Sequence, residues 1–585
     1  MKKSLQTASR NVALATALLV AANASAATYY WDTNGATPGS GAATGTWDSG
    51  ISALWTTDAT GSIATSAITT AIDSDLIFSA GSNGTAGTIT VSGAQLANSL
   101  TFAQPGLVFN SGDITLTNNN PLAPSVVVNE DTTINATGNL SQFSAISVAA
   151  GKTLTLSSTN TAGNANNFFL SESNVATGGI VGGGTVKLTA GNFTTQSNPF
   201  IKNGSTTAGG LLLTGTSTMT VGGGLQVGRD GTAGRLEINS ATAAINITGQ
   251  MTVGRGTSGN YVQSAGTFNS THVSATDSSV MIGRDGGGNQ NGVVTISGGT
   301  FNVIGNGIAG NSGGVLTLNA GGNNAGSSGT LNISGGVVTV KDLRFNGNNS
   351  VATGTATAGS SIVNLSGGSL YVGGTIINDG SGGTNGGIRD LNTGTATSAL
   401  NLTGGTLGAN ANWTSSMAMT VGTSGGGVTI KAADVTDIAH DITLSGVISG
   451  AGGIVKSGGG NLTLSGVNTY TGVTQVNAGT LTLGSFNSIT ALGTLAFTDG
   501  ASISLGFASG SETVNFLYDS TQNKFMTPGT WTASQLNQFF GTSTFSSMGG
   551  TLTVTAVPEP STWALLTISL TIAGFAVRQR ARRLA

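Results

Sequence analysis

Residues 450–483 read GAGGIVKSGGGNLTLSGVNTYTGVTQVNAGTLTL, and their pattern decides the fold class. Three short strands are predicted: one holding Ile454 and Val455, one holding Leu462 and Leu464, and one holding Leu481 and Leu483. In NLTLS and GTLTL, leucine alternates with threonine or asparagine, which puts leucines on one face of a strand and polar side chains on the other. Gly458, Gly459, Gly460, Gly466, Gly472 and Gly479 punctuate the strands, as tight turns require. Tyr470 is expected to offer an aromatic platform. A lone unit of this kind cannot bury its leucines, so it implies stacking on similar units in a solenoid.

The stretch closely resembles the passenger-associated transport repeat, also called the autotransporter-associated β-strand repeat. The resemblance is carried by Gly450-Ala451-Gly452-Gly453, Lys456-Ser457-Gly458, Leu462 to Gly466, Asn468 to Gly472, Thr474 and Gly479-Thr480-Leu481. It covers one clear copy. It implies an all-β chain wound as a right-handed parallel β-helix, on a bacterial surface or secreted protein.

Composition agrees with a solenoid. A chain of 585 residues exceeds a usual single core, but a solenoid escapes that limit because each rung touches only its neighbours. Charged residues are 7% of the chain, far below an ordinary globular protein. There are 94 glycines without a Gly-X-Y period, which excludes collagen, and only 8 prolines, which favours uninterrupted strands. Recurring alternation of Val, Ile, Leu and Thr argues against disorder. Cysteine is absent, so there is no disulfide scaffold and no thiolate metal site. Without the two terminal segments the chain keeps 13 basic and 22 acidic side chains, near −9, which is no footprint for nucleic acid.

Taken in order, residues 1–26 read as a signal peptide. Lys2, Lys3 and Arg10 form its positive end, Val12 to Ala22 its apolar run, and Ala24-Ser25-Ala26 its small-residue cleavage site. Residues 27–60, with Trp31, Trp47 and Trp55, read as an N-terminal cap over the first open rung; the other reading of these tryptophans is a carbohydrate-stacking site. Residues 61–485 form the expected β-helix body. Within it Ser-Gly-Gly, or Thr-Gly-Gly, recurs at 297, 334, 366 and 403, and a Val/Ile-Gly-Arg motif at 227, 253 and 282. Steps of this size fit one or two coils with loops of varying length. Residues 486–556 are expected to hold final strands and a capping helix at Ser534–Phe540, just after Trp531.

The last segment, 557–585, is VPEPSTWALLTISLTIAGFAVRQRARRLA. Pro558-Glu559-Pro560 is followed by an apolar run, 563–577, and then by Arg578, Arg580, Arg582 and Arg583. The run is short for a membrane helix, and the arginines would hold the end in the cytoplasm. The tail resembles the PEP-CTERM sorting signal. That resemblance implies an exosortase as processing partner, recognition through Pro558, Glu559 and Pro560, and transient anchoring in the inner membrane before release or attachment at the surface. An autotransporter would instead continue into an outer-membrane barrel of alternating strands, and none is read here.

Little in the sequence suggests catalysis. The densest ionisable group is Asp434, Asp437, His440 and Asp441. A β-helix glycosidase or lyase would need such carboxylates to converge in a groove; the plainer reading is a polar loop between rungs. His272 stands apart. Arg229-Asp230-Gly231 and Arg284-Asp285-Gly286 read as repeated turn ion pairs, and the polar stretch from Asp285 lacks the regular aspartates of a calcium rung. The expectation is a non-enzymatic chain without metal, cofactor or nucleic-acid partner. Its role is structural or adhesive, in contact with extracellular polysaccharide, biofilm matrix or other surface proteins. The alternative is a polysaccharide-active or polysaccharide-binding β-helix.

Overall fold

A computed structural model of the chain describes residues 26–116, 125–141, 145–158, 166–167, 179–195, 198–272, 278–284, 289–305, 313–321, 326–347, 358–376, 386–392, 394–423 and 427–557. The signal peptide with Ala24, the sorting motif Pro558, Glu559 and Pro560, the 563–577 run and the four tail arginines lie outside these residues. Ala26 is described, and the first strand begins immediately after it at Ala27.

Among the described residues the chain is mostly β, with one helix, Ala533–Phe540. In stretch 450–483 the alternation yields strands Ile454–Ser457, Asn461–Leu464 and Thr480–Leu483 as read, each with alternating burial. A fourth, Thr474–Val476, was missed. All three of its residues are buried, so it carries no alternation to read.

Strands pair in parallel with strands one turn of chain further on. One sheet begins at Ala27–Trp31 and continues through Ser74–Phe78, Ser99–Phe102 and Val126–Val128. It then steps rung by rung to Asp342–Phe345 and Ile388–Asp390, every contact parallel. A second sheet starts at Gly45–Trp47, which pairs only with Gly87–Val91, and ends at the antiparallel pair Phe516–Asp519 and Lys524–Phe525. It is therefore open at both ends among the described residues. The third, six-stranded sheet takes up the stack where the first stops: Trp413–Ser415, Ile442–Leu444, Asn461–Leu464, Thr480–Leu483, Ser502–Leu505 and Phe545–Ser547, all parallel.

Register is strict because one face is buried. Leu462 pairs with Leu481 and Leu481 with Ile503, while Leu464 pairs with Leu483 and Leu483 with Leu505. All six side chains are fully buried. Each contributes about 1.5–3 kcal/mol relative to exposure, and a one-residue slip would turn every one of them to solvent.

The two motif repeats are corners. The Ser-Gly-Gly series sets Gly299, Gly336, Gly368 and Gly405 one above another at φ +72°, +69°, +62° and +76°. The Val-Gly-Arg series stacks as Val227, Val253 and Ile282, with Arg229, Arg255 and Arg284 in register. Its middle residues, Gly228, Gly254 and Gly283, have φ +74°, +75° and +72°. On the next two rungs the same position is Asn319 and then Asn346, at φ +51° and +53°. The corner thus needs a left-handed residue on five successive rungs, and glycine or asparagine supplies it.

Both ends carry antiparallel strands. At the start, Ala53–Thr56 pairs antiparallel with Ala27–Trp31 and with Ser66–Ala67. At the other end, Gly529–Trp531 lies antiparallel on Thr551–Val554. The expected helix forms at Ala533–Phe540, with a capping box between Thr532 and Gln535 and Gly541 left-handed at its C-terminus. It buries Leu536 and Phe540 against the stack. The antiparallel strands cover the edge at Ala27–Trp31 and at Thr551–Val554, whereas Gly45–Trp47 keeps one edge unpaired among the described residues.

Candidate functional site

The acidic loop is closed on itself. Asp434 Oδ1 accepts from the Thr436 amide at 2.8 Å, the Thr436 hydroxyl at 2.8 Å and the Ile438 amide at 2.9 Å. Burial raises the Asp434 carboxyl, but these hydrogen bonds outweigh it and hold the group below its usual range. Asp437, left-handed at φ +67° and mostly exposed, pairs with Lys431 Nζ at 2.6 Å. Asp441 turns to the neighbouring rung, where its Oδ1 accepts the Asn461 amide at 2.8 Å. His440 Nε2 stands 4.0 Å from Asp434 Oδ2. Each carboxylate fastens a different piece of backbone or a lysine, so the loop is not an acid–base pair facing a substrate. His272 follows strand Thr267–Ser270, whose neighbours are Ala244–Ile247 and Asn291–Val303, so the two histidines do not meet.

A groove of about 310 Å³ opens on the outer face of the second sheet, lined by Leu107, Val108, Asp131, Thr133, Thr153 and Thr155. Its single carboxylate, Asp131, accepts the Thr153 amide at 2.7 Å. Glycoside hydrolysis through paired carboxylates needs a second acid there. Among the described residues no group of three or more His, Cys, Asp or Glu could hold a metal ion.

The N-terminal tryptophans do not form a stacking platform. Trp31, Trp47 and Trp55 are buried to within 1%. Trp31 and Trp55 meet edge to face at 5.0 Å, and Trp47 lies 6.2 Å from Trp55. Phe78 joins them to the core, with Phe109 4.7 Å away. The indole N–H of Trp31 donates to Ala43 O at 3.0 Å, and that of Trp47 to Thr70 Oγ1 at 3.1 Å. With their polar tips satisfied inside, the rings fill the cap. Tyr470 departs from expectation in the same way. It is fully buried, its hydroxyl 2.6 Å from Thr474 Oγ1, and burial pushes its pKa up. The tryptophans thus fit the cap reading rather than the stacking-site reading, whereas nothing in the sequence marked Tyr470 as interior, since an aromatic beside glycine suits a surface as well as a core.

The regular outward columns of two sheets are polar and uncharged. On the six-stranded sheet Thr414, Thr443, Thr463, Thr482, Ser504 and Ser546 form one column. Asparagine ladders run along the second sheet: Asn269 Nδ2 donates to Asn246 Oδ1 at 3.0 Å and Asn302 Nδ2 to Asn269 Oδ1 at 2.9 Å. Asn364 donates to Asn332, and Asn401 to Asn364, both at 2.8 Å. These amide chains stitch one rung to the next without charge.

The sorting end begins where the last strand stops. Strand Thr551–Val554 pairs with Ser511–Val514, and the pairing runs on until the Ala556 amide donates to Asn515 O at 3.0 Å. Only Val557 separates that bond from Pro558.

Comparison with known proteins agrees with these positions. Residues 454–483 match the Passenger-associated-transport-repeat family, and residues 556–583 match the PEP-CTERM protein-sorting motif. A stretch of 122 residues is 41% identical to the "Adhesin BmaC autotransporter" of Brucella suis biovar 1 (strain 1330). That stretch is 20% of this chain and spans 3% of the relative's length. No solved structure matches. The sorting motif implies processing by an exosortase and export toward the cell surface. The chain carries a passenger-associated transport repeat in its stacked strands and a PEP-CTERM sorting motif directly after its last one.

Proposed function

We propose that this chain is a non-enzymatic surface rod: a right-handed parallel β-helix with a structural or adhesive role in the extracellular matrix. Its tail enters the inner membrane as a helix over 563–577, an exosortase cuts near Pro558-Glu559-Pro560, and the body is released or attached at the surface. Extracellular polysaccharide or other surface proteins are its partners. The observation that carries the reading is the abutment of a sorting motif on a body whose backbone pairing, among the described residues, runs to Ala556. The uncharged outward columns and parallel ladders support a stiff display scaffold, and the adhesin relative lends support through its printed name alone.

The test is intact mass and fractionation of the native protein. A surface or medium species lighter than the 57.4 kDa chain by Met1–Ala26 and by the tail supports the reading. A full-length C-terminus kept in the inner membrane overturns the sorting half. The enzymatic alternative loses support from the separated carboxylates of the acidic loop and from the single acid of the groove. Release of reducing ends from a surface polysaccharide, abolished by Asp131→Asn, would restore it.

A further inference from the structure

We propose that the exported precursor stands end-on, its C-terminal cap facing the lipid surface and its tryptophan-filled cap held farthest away; this rests on the reading above that the tail enters a membrane. Three observations carry it. The first is tether length. The last backbone bond among the described residues is at Ala556, and the apolar run begins at Trp563, so the connecting chain spans at most about 25 Å.

The second is the length of the stack. Thirteen parallel strands from Ala27–Trp31 to Ile388–Asp390, followed by six from Trp413–Ser415 to Phe545–Ser547, lie about 4.8 Å apart. That sets the first rung roughly 85 Å from the last by the same spacing. The tether therefore reaches the last rungs and cannot bring the N-terminal cap to the surface unless the rod lies flat.

The third observation is charge. Residues 27–131 hold eight acids and no base, whereas the C-terminal segment 486–556 holds only Asp499, Asp519, the buried Glu512 and Lys524. An anionic lipid surface repels those acidic N-terminal rungs far more than it repels the C-terminal end, within a Debye length of about 8 Å at physiological salt. The cap also exposes apolar surface at Met548 and Val557, 72% and 46% accessible, before and after strand Thr551–Val554. Lying flat would press the acidic N-terminal rungs to the surface; standing on the C-terminal cap does not.

The absence of cysteine makes the test direct. Single-cysteine variants Met548→Cys in the last rung and Ile51→Cys in the N-terminal cap, both at exposed positions, are labelled with a donor fluorophore on the full chain. The chain is bound to phosphatidylethanolamine–phosphatidylglycerol vesicles carrying an acceptor lipid. Ser543→Cys, also exposed, is a second reporter should Met548→Cys misfold. Quenching at 548 or 543 with none at 51 supports the end-on orientation. Equal quenching at the two ends overturns it and leaves the membrane reading intact. Failure of the unlabelled full chain to float with vesicles overturns that reading, and this inference with it. A flexible spacer of about 20 residues inserted after Val557, spanning roughly 25 Å as a random coil, should weaken the signal at 548.

Discussion

The side-chain amide of Asn319 donates to Oδ1 of Asn346 at 3.0 Å inside the fold, and both residues hold left-handed backbone where the three preceding rungs use glycine. One pair thus meets two demands of a buried corner, a positive φ and partners for both side-chain NH2 groups, although Asn319 Oδ1 is left without a partner. Asn346 passes the chain on, donating to Ser398 Oγ at 2.6 Å and accepting from the Ser361 hydroxyl at 2.8 Å.

Asn319→Ala is therefore expected to cost about 2–4 kcal/mol, combining left-handed strain with an unmade buried hydrogen bond. Asn319→Gly restores the backbone and should cost less. Rungs unfold as neighbours rather than all at once, so hydrogen exchange of the local strands is the measurement. Equal loss in both variants would remove the backbone part of the argument.

An added methyl should cost far more at one crowded glycine than at an open one of similar backbone. A Cβ on Gly283 would come 2.2 Å from Ser328 O, whereas Gly231, also left-handed at φ +81°, meets nothing within 4 Å. Gly283→Ala should lower the midpoint of urea unfolding sharply, and Gly231→Ala by no more than about 1–2 kcal/mol of strain. Similar losses in the two variants would contradict the packing.

Lys456 is fully buried in the transport repeat, its Nζ bonded to the carbonyls of Ser457 at 3.0 Å, Gly458 at 2.8 Å and Ala478 at 2.8 Å. Burial lowers its pKa to about 8 despite Asp441 nearby. The folded state then binds fewer protons than the unfolded one between about pH 8 and 10.5, so this group's contribution rises with pH across that window. Lys456→Met leaves three carbonyls unpaired and should destabilise by at least about 1–3 kcal/mol at neutral pH. The stability gap between wild type and variant should widen from pH 8 toward 10.5, read by denaturant titration at several pH values.

Glu512 shows the opposite sign. Fully buried, it accepts the Ser488 amide at 3.1 Å and the Ile489 amide at 2.8 Å, and burial pushes its pKa up to about 7. The folded state holds the proton more tightly between pH 4.5 and 7, so stability from this group is full below 4.5 and falls as pH rises through 7. Glu512→Gln should flatten that slope. An unchanged pH profile would show that the two amides, rather than burial, set the ionisation of this carboxyl.

Much of the architecture was legible because its signals are local. Alternation in NLTLS and GTLTL gave strand and face, the recurring Ser-Gly-Gly and Val-Gly-Arg motifs gave corners, and Ser534 to Phe540 gave the helix within one residue. Strand Thr474–Val476 escaped because all three of its residues are buried and alternation vanishes. Asn319 and Asn346 escaped because an asparagine in a polar chain looks like any surface residue until its rung is known.

By itself, then, the sequence determined the β character of this protein, its stacked strands, its transport repeat and its sorting tail, since each rests on residue type and short spacing. Only tertiary structure decided which side chains are inside. Trp31, Trp47, Trp55 and Tyr470 became core, the aspartates of the 434–441 loop were parted to separate partners, and Lys456 and Glu512 were withdrawn from water. The physical reason is that strand register is set by the neighbouring rung, about 20 to 40 residues away in sequence. Burial, charge pairing and proton affinity are properties of that neighbour as much as of the residue itself.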